Sequence, residues 1–292
     1  NKLDGVVPEL VPDPVPDPVP DPVPDPAGMV VLRGARHPLL LLRSIDAVDD
    51  RREEVVPLDL ELGGDTRTIV ISGPNAGGKT VALKTMGLVS LMAQMGFLIP
   101  VQEASLPVFN QIFADIGDQQ SMAANLSTFT AHMRNIAEMD VHMHPPSLVL
   151  LDEVGTGTDP DEGAALAIAV IDHFRGVGAM VAASTHYPRL KMWASQTEGV
   201  QNASVEFDDN TLRPTYRLML GTAGSSSGIE IARRMRIPEG ILLAAQSLVD
   251  PGYAQVRAYL KQLKETLDAQ ETLRAVLDSE RAAIAGKYAE LE

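Results

Sequence analysis

Two apolar patterns alternate through the middle of the chain. Short apolar runs at 30–33, 55–62 and 68–72 precede a stretch from 79 to about 95 in which Leu83, Met86 and Leu91 recur at helical spacing. The order repeats with a helical pattern at 127–140, an apolar run at 148–152, an alanine-rich helical pattern at 162–174 and a last run at 179–184. Strands alternating with helices predict an α/β fold with a mainly parallel sheet flanked by helices, and ligand chemistry at the carboxyl ends of the strands.

The two ends of the chain follow other patterns. Residues 11–26 are four copies of Val-Pro-Asp-Pro, and proline at every second position predicts an extended polyproline-II arm. We favour a spacer over a ligand for a proline-binding module. From Val256 to Leu291, mainly apolar residues recur at alternating intervals of four and three, which predicts a long coiled-coil helix. The predicted organisation is an arm at 1–28, a compact domain at 29–252 and the start of a coiled coil at 253–292.

Composition narrows the partners. The chain has 24 Lys and Arg against 39 Asp and Glu, a net charge of -15, so by itself it should bind nucleic acid poorly. It has no cysteine, which excludes disulfides and suits a reducing cytoplasm. No apolar run approaches the roughly 18 residues that a membrane-spanning helix needs, so we expect no membrane partner.

The strongest motif is a glycine-rich loop between a predicted strand and a predicted helix. It reads Gly73-Pro74-Asn75-Ala76-Gly77-Gly78-Lys79-Thr80, followed by Val81. This is the P-loop pattern, in which backbone N–H groups and the helix N-terminus surround phosphate oxygens. Lys79 is then expected to reach the β- and γ-phosphates of a nucleotide, and the Thr80 hydroxyl to bind Mg²⁺.

Two further elements follow neighbouring predicted strands. The apolar run 148–152 ends in Asp152 and Glu153, and adjacent carboxylates at the end of a buried strand suit a cation and a polarised water. Asp152 is expected to hold Mg²⁺ through its water shell, and Glu153 to orient and deprotonate the attacking water. His186 follows the next strand in Ser184-Thr185-His186, where it is expected to contact the γ-phosphate.

Together these elements resemble the ATP-binding-cassette class of P-loop ATPases, and their details resemble the ATPase domain of the MutS family. The similarity is carried by Arg36-His37-Pro38, the loop GPNAGGKT, the segment 125–133, the run LLDEVGTGTDPDEGAALA at 150–167 and STHY at 184–187. Gly157-Thr158-Asp159-Pro160 with Glu162-Gly163 is similar to the MutS-two branch rather than to the mismatch-repair branch. The resemblance covers residues 29 to about 250.

The resemblance implies that ATP and Mg²⁺ are bound by a homodimer in which two ATPase domains sandwich two nucleotides. Ser127 would then face the γ-phosphate of the other subunit, although it could equally cap the following helix. Val55 and Val56 stand near the position from which mismatch-repair relatives direct an aromatic ring to adenine, which implies aliphatic contacts with the base. The full-length protein would act on branched or recombination DNA, or on stalled ribosomes, through parts outside this chain, and no nuclease activity is expected here.

Two other classes of function compete with a MutS-type ATPase switch. The nucleotide-binding domain of a transporter should carry an LSGGQ-like segment, whereas this chain has Leu126-Ser127-Thr128-Phe129. A dimerisation scaffold that binds nucleotide without turnover would not need a carboxylate at Glu153. Both features favour hydrolysis by a MutS-type module.

Overall fold

The computed structural model describes residues 9–11, 28–46, 54–74, 77–117, 128–208, 213–224 and 228–248, together with Gln262 and Thr266. The strands assigned in these residues are β1 Glu9–Val11, β2 Val30–Ala35, β3 Leu58–Leu62, β4 Thr68–Ser72, β5 Glu103–Pro107, β6 Gln111–Asp115, β7 Ser147–Leu151, β8 Met180–Thr185, β9 Val200–Asp208 and β10 Arg213–Leu220. The helices are α1 Pro38–Asp46, α2 Lys79–Gln94, α3 Thr128–Val141, α4 Pro160–Gly176, α5 Pro188–Gln196, α6 Gly228–Arg234 and α7 Glu239–Ser247.

A six-stranded sheet forms the centre of the molecule, in the order β10-β9-β4-β8-β7-β6. The pairs β9–β4, β4–β8, β8–β7 and β7–β6 are parallel, and β10 joins the edge antiparallel to β9. The prediction of a mixed α/β fold with a mostly parallel sheet is confirmed.

The parallel sheet is covered on both faces, as the uninterrupted apolar runs predict. Leu148 and Leu150 of β7 belong to the same buried cluster as Leu83 and Met86 of α2. The alternate residues of β7 belong to a second cluster with side chains of α4 and α5. Successive strand residues point to opposite faces, so a single apolar strand contributes to both cores.

A four-stranded sheet in the order β1-β5-β2-β3 stands beside the first and was not predicted. Strand β2 is antiparallel to both β3 and β5, and β1 pairs with β5 in parallel along the edge. Its buried side chains merge with the core under α2. The predicted strand 55–62 begins only at Leu58, directly after Pro57, which has no N–H to donate to a ladder.

The predicted helix 162–174 begins two residues earlier, at Pro160. The Asp159 carboxylate accepts hydrogen bonds from the N–H groups of Asp161 and Glu162, at 2.9 and 3.3 Å, and so caps the helix. Pro160 occupies the first turn, where a missing N–H costs nothing. Local sequence therefore determines the start of α4.

Several predictions concern residues outside those described. They are the Val-Pro-Asp-Pro repeats after Val11 and the coiled coil proposed for 253–292, of which only Gln262 and Thr266 are described, both as helix, so both stay predictions. The first repeat residue, Val11, is the last residue of β1, so the predicted arm at 1–28 includes three residues that pair with the domain. No helix within the described residues is both long and apolar enough to cross a membrane.

Candidate phosphate-binding and carboxylate site

The glycine-rich loop begins where β4 ends and leads directly into α2. Gly73 (φ 130°) and Gly78 (φ 97°) adopt backbone conformations that residues with side chains disfavour. A Cβ added to Gly73 or to Gly77 would lie 2.5 Å from a methyl carbon of Val205 on β9. The fold itself therefore requires glycine at these positions of the motif.

Lys79, the first residue of α2, has a buried side chain, only 2% of which is exposed. Its Nζ donates a hydrogen bond of 2.8 Å to the Gly73 carbonyl and lies 3.7 Å from Oε1 of Glu153. Burial lowers the pKa of Lys79, although Glu153 and Asp152 act in the opposite direction by favouring the charged form. The ammonium thus stands between the start of the loop and the carboxylates that follow β7.

Asp152 connects three elements at the carboxyl edge of the sheet. Its carboxylate accepts a 2.7 Å hydrogen bond from the Thr80 hydroxyl and another from the Ser184 hydroxyl at the end of β8. Its N–H donates to the Asp115 carbonyl at the end of β6, at 2.8 Å. The side chain is buried, so these hydrogen bonds replace the water that the carboxylate loses.

Glu153 is held differently from its neighbour. Its φ of 49° is unusual for a residue with a side chain, and its side chain is about one-third exposed. The Glu153 N–H donates to Ser184 Oγ at 2.9 Å, so one serine hydroxyl contacts both acidic residues. This backbone conformation directs consecutive residues to different tasks, with Asp152 turned inward and Glu153 toward Lys79 and solvent.

His186 follows β8 and is exposed to solvent. Its ring lies 4.4 Å from the ring of Tyr187, centroid to centroid, with a tilt of 40°. Partial desolvation of the ring lowers the pKa of His186, and the positive charges of Lys79 and Lys191 add to this while Glu153 opposes it. The shift favours the neutral imidazole, in which one nitrogen can donate a hydrogen bond and the other can accept one.

The turn after Glu153 is fixed by a close glycine contact. A Cβ on Gly163 would lie 2.3 Å from the Gly155 carbonyl oxygen and 2.6 Å from the Tyr187 hydroxyl. That hydroxyl donates a 2.8 Å hydrogen bond to the same carbonyl. The residue after His186 thus holds the turn that follows Glu153.

A cavity of about 440 Å³ opens beside the loop, between the two sheets. Val55, Val56 and Val81 line it, as do His37 and Tyr216, neither of which was predicted to contribute to the site. Tyr216, on β10, has a φ of 60° and lies against Gly78, since a Cβ there would be 3.1 Å from its ring. Val55 and Val56, for which aliphatic contacts with the base were expected, thus share this cavity with the rings of His37 and Tyr216.

A buried polar cluster links the same edge of the sheet to α3. The Asp115 carboxylate accepts hydrogen bonds from His132 Nδ1 and, at 2.8 Å, from Asn135 Nδ2. Both donors belong to α3, and Asp115 and His132 are buried. The cluster was not predicted, because Asp115 and Asn135 lie outside every motif and no spacing links them to His132 of the segment 125–133.

Three predicted residues, Asn75, Ala76 and Ser127, lie outside the described residues, so their roles stay predictions. The structure begins α3 at the residue after Ser127. The Pro74 carbonyl accepts a 2.9 Å hydrogen bond from the Gly77 N–H, which joins the described residues on either side of Asn75 and Ala76. The flanks of the loop are therefore defined on both sides.

The remaining predicted residues come together at one edge of the parallel sheet. Thr80 and Asp152 supply neighbouring oxygen atoms, the ligand type that Mg²⁺ prefers, and Lys79 supplies a cation. Within the described part of the chain no group of three or more His, Asp or Glu side chains is arranged to hold a metal ion without other ligands. The donor set suits an ion that shares its coordination with water and phosphate oxygens.

The fold and this site define a class, the α/β proteins with a phosphate-binding loop at the carboxyl edge of a parallel sheet. The family model for MutS domain V matches residues 69–251, so the chain belongs to the MutS domain V family. The resemblance to MutS ATPase domains is confirmed.

Several curated relatives are endonuclease MutS2 proteins. That of Pelotomaculum thermopropionicum is 48% identical over 265 residues, which are 89% of this chain and 32% of the relative. That of Thermomicrobium roseum is 50% identical over 84% of this chain and 30% of its own, and that of Brevibacillus brevis is 50% identical over 81% and 29%. The chain thus spans about a third of the length of the curated relatives it matches.

Proposed function

We propose that this chain is a nucleotide-driven module that binds ATP at the loop 73–81 and hydrolyses it at the adjacent carboxylates. The observation that carries the proposal is the 2.7 Å hydrogen bond between Thr80 Oγ1 and Asp152 Oδ2. It joins the first turn of α2 to the end of β7, so that the phosphate-binding and water-activating parts share one edge of the sheet. Membership of the MutS domain V family supports the same reading.

The phosphates would be held by the loop N–H groups and by Lys79. The Lys79 ammonium is already positioned by the Gly73 carbonyl, so little side-chain entropy is lost when an anion arrives. Thr80 and Asp152 would hold Mg²⁺, and their hydrogen-bonded oxygens fit that ion's preference for oxygen ligands. The ion, when bound, supplies positive charge that neutralises the phosphate oxygens.

Glu153 is the proposed general base. Its side chain is exposed enough to contact water, while its backbone is fixed by Ser184. Lys79 Nζ lies 3.7 Å from its Oε1 atom, so the carboxylate that would accept the proton stands beside the cation of the phosphate loop. His186, whose lowered pKa favours the neutral ring, would donate a hydrogen bond to the terminal phosphate.

The base of the nucleotide would occupy the cavity beside the loop. The cavity borders on Gly78 and Val81, so a base there would be continuous with phosphates at the loop. Tyr216 offers an aromatic face for stacking, and the valines offer apolar contacts. We propose that Tyr216 rather than the valines provides most of the affinity for the base.

ATP turnover by the 292-residue chain, compared with a Glu153→Gln variant, tests the proposal. The amide keeps the shape of the side chain but cannot accept a proton, so we expect normal ATP binding and a loss of hydrolysis of at least about a hundredfold. Glu103→Gln, an exposed change at the start of β5, is the matched control and should leave turnover unchanged. Equal turnover by wild type and Glu153→Gln would remove Glu153 as the base, and no turnover by either would favour a scaffold that only binds nucleotide.

We further propose that two copies pair around two nucleotides, with Ser127 acting on the phosphate bound by the other copy. The support is the family membership and the link from Asp152 through Asp115 to α3, the helix that follows Ser127. Mixing inactive Ser127→Ala and Lys79→Ala subunits would leave one composite site without either lesion, so partial activity should return. A mixture that stays inactive although heterodimers form would contradict independent sites that use Ser127 in trans.

The longer protein would use this module to act on DNA. The curated relatives carry the name endonuclease, and this chain corresponds to about a third of their length. With a net charge of -15, the isolated chain should bind duplex DNA no more tightly than the non-specific range of about 10⁻⁴ to 10⁻⁶ M. Tight, structure-selective binding by this chain alone would instead locate the DNA contacts within it.

A further inference from the structure

Lys191 is a buried lysine that the proposed reaction does not use. It lies on α5, five residues after His186, and only 4% of its surface is exposed. Its Nζ donates a 2.8 Å hydrogen bond to the Gly224 carbonyl. The side-chain Nδ2 of Asn202 on β9 donates a 2.9 Å hydrogen bond to the backbone carbonyl of Lys191. Lysine is seldom buried this deeply without a partner carboxylate. The influences on its titration are burial and the charge of Lys79, and no carboxylate is among them.

The acceptor of Lys191 touches the start of the phosphate loop. The Gly224 N–H donates a 2.8 Å hydrogen bond to the Ser72 hydroxyl, and a Cβ on Gly224 would lie 3.0 Å from the Gly73 Cα. Lys79 donates in turn to the Gly73 carbonyl. Two ammonium groups are therefore bound by the carbonyls of two glycines whose backbones are in contact.

The charges of the two lysines act on each other. Burial, and then the positive charge of Lys79, lower the pKa of Lys191 to about 8. At pH 7 the ammonium is still largely protonated, so two cations lie near the loop in poorly hydrated surroundings. That arrangement is unfavourable alone and becomes favourable when an anion arrives.

We propose that Lys191 is a positioning residue for the phosphate site, which holds the 222–224 segment against the loop and strengthens anion binding through its charge. It would act through Gly224 and the loop rather than by touching the phosphates. The inference rests on the proposed nucleotide-binding function and extends it to the segment that leads into α6 and α7. It also gives a role to α5, which contains none of the motif residues.

The groups that act on Lys191 in the described structure are few. Lys79 on α2 shifts its titration, and His186 at the end of β8 is in turn affected by Lys191. Gly224 contributes a carbonyl and Asn202 on β9 an amide, neither of which titrates. On α4, Asp161 faces Arg189 of α5, at 3.8 Å. Between pH 7 and 9 the titration that the proposal concerns is therefore that of Lys191, whose pKa is about 8.

The test measures the affinity of the full 292-residue chain for inorganic triphosphate and for ATP at pH 7 and pH 9. The variants are Lys191→Met, which keeps the length of the side chain without its charge, and Lys191→Arg, which keeps the charge at both pH values. Arg189→Met is the control, since it removes one positive charge from the same helix at an exposed position. Comparison at equal pH cancels the titration of the ligand.

At pH 7 we expect Lys191→Met to weaken binding of both ligands about fivefold, the effect of one partly screened charge, and Arg189→Met to change little. At pH 9, where wild-type Lys191 is itself largely neutral, wild type and Lys191→Met should converge while Lys191→Arg binds more tightly than either. A loss that is equal at both pH values, or equal to that of Arg189→Met, would overturn the proposal.

The test separates three failures: a variant that does not fold, a protein that does not bind nucleotide, and a Lys191 that plays no part in binding. If Lys191→Met does not fold, as judged by circular dichroism, the ratio of wild-type to Lys191→Arg affinity at the two pH values still decides, because a constant ratio would refute the proposal. If wild type binds neither ligand, the proposed nucleotide site fails and Lys191 loses its role with it. If wild type binds and the variants match it, only the role of Lys191 is refuted.

Discussion

The two sheets of the molecule differ in where they place charged side chains. The carboxyl edge of the six-stranded sheet buries charged groups, among them Lys79 and Asp152, and satisfies them with one another and with backbone. The four-stranded sheet buries almost only aliphatic side chains and keeps its ion pair, Arg33 with Glu61, at the surface. Loss of one charged member at the first edge leaves its partners unsatisfied, whereas the second sheet provides an apolar wall and tolerates polar change outside it.

Lys79→Ala should have the largest effect on the charged edge of the six-stranded sheet. The variant removes the cation that faces the loop and leaves phosphate charge to backbone N–H groups, so we expect binding of a fluorescent ATP analogue to fall below detection. Lys84→Ala, an exposed change on the same helix, is the control and should bind normally. Undiminished retention of the analogue by Lys79→Ala would refute the loop assignment.

Gly163→Ala should destabilise the charged edge through sterics alone. Its Cβ would meet the Gly155 carbonyl at 2.3 Å, and backbone cannot rotate away as a side chain can. We expect a loss of about 1–3 kcal/mol in the free energy of unfolding, measured by urea titration. Gly176→Ala, at the other end of α4 with nothing within 4 Å, should be neutral or stabilising by up to about 1 kcal/mol. Similar values for the two would show that the glycine contact relaxes easily.

Tyr216→Leu should weaken the binding of the nucleotide base and leave the binding of the phosphates unchanged. Replacing the ring by an aliphatic side chain removes stacking worth about 1 kcal/mol, so ATP affinity should fall about fivefold. Affinity for inorganic triphosphate should stay unchanged, and Tyr216→Phe should retain the affinity of wild type for ATP. An equal loss for both ligands would mean that Tyr216 supports the loop instead of the base.

His37 provides the smallest test, on the side of the four-stranded sheet. Burial, and then the positive charge of Lys84, lower its pKa, and its Nδ1 accepts a weak 3.4 Å hydrogen bond from the Leu40 N–H. Because its folded pKa lies below the unfolded value of 6.5, its contribution is present above pH 6.5 and is lost as the pH falls. His37→Asn keeps a capping acceptor without titrating, so it should lose less stability than wild type between pH 7.5 and 5. Parallel losses for the two proteins would contradict this account.

How far the sequence predicted the fold depended on the range of the interactions involved. The run at 68–72 and the apolar run that ends at Asp152 are long and uninterrupted, and the structure has strands there within one residue. Helix α1 and the strands β9 and β10 were not predicted, because their sequences have no comparably clear apolar period. In α1, PLLLLRSID, four consecutive leucines hide any helical spacing. The second sheet depends on pairing between distant segments, which no local pattern encodes.

The candidate site divides in the same way. Lys79, Thr80, Asp152 and Glu153 belong to contiguous motifs, and the structure brings them within hydrogen-bond or ion-pair distance. Tyr216 lies more than 130 positions after Gly78 in the sequence, and its ring contacts that glycine from β10, where its backbone is left-handed. Lys191 and Asp115 belong to no motif, and the hydrogen bonds of Ser184 to Asp152 and Glu153 are not implied by the motif that contains it, so only the structure reveals these contacts.

Strand β4 occupies the interior of the parallel sheet and pairs along all five of its residues with β8 on one side and β9 on the other. Any displacement of the end of β4 would disturb both hydrogen-bonded ladders at once. The position of Gly73 is therefore fixed by the sheet and does not depend on a ligand. The start of the phosphate site is in this sense preorganised. Its ordering is completed when the domain folds, and the free energy of later anion binding is spared that entropic cost.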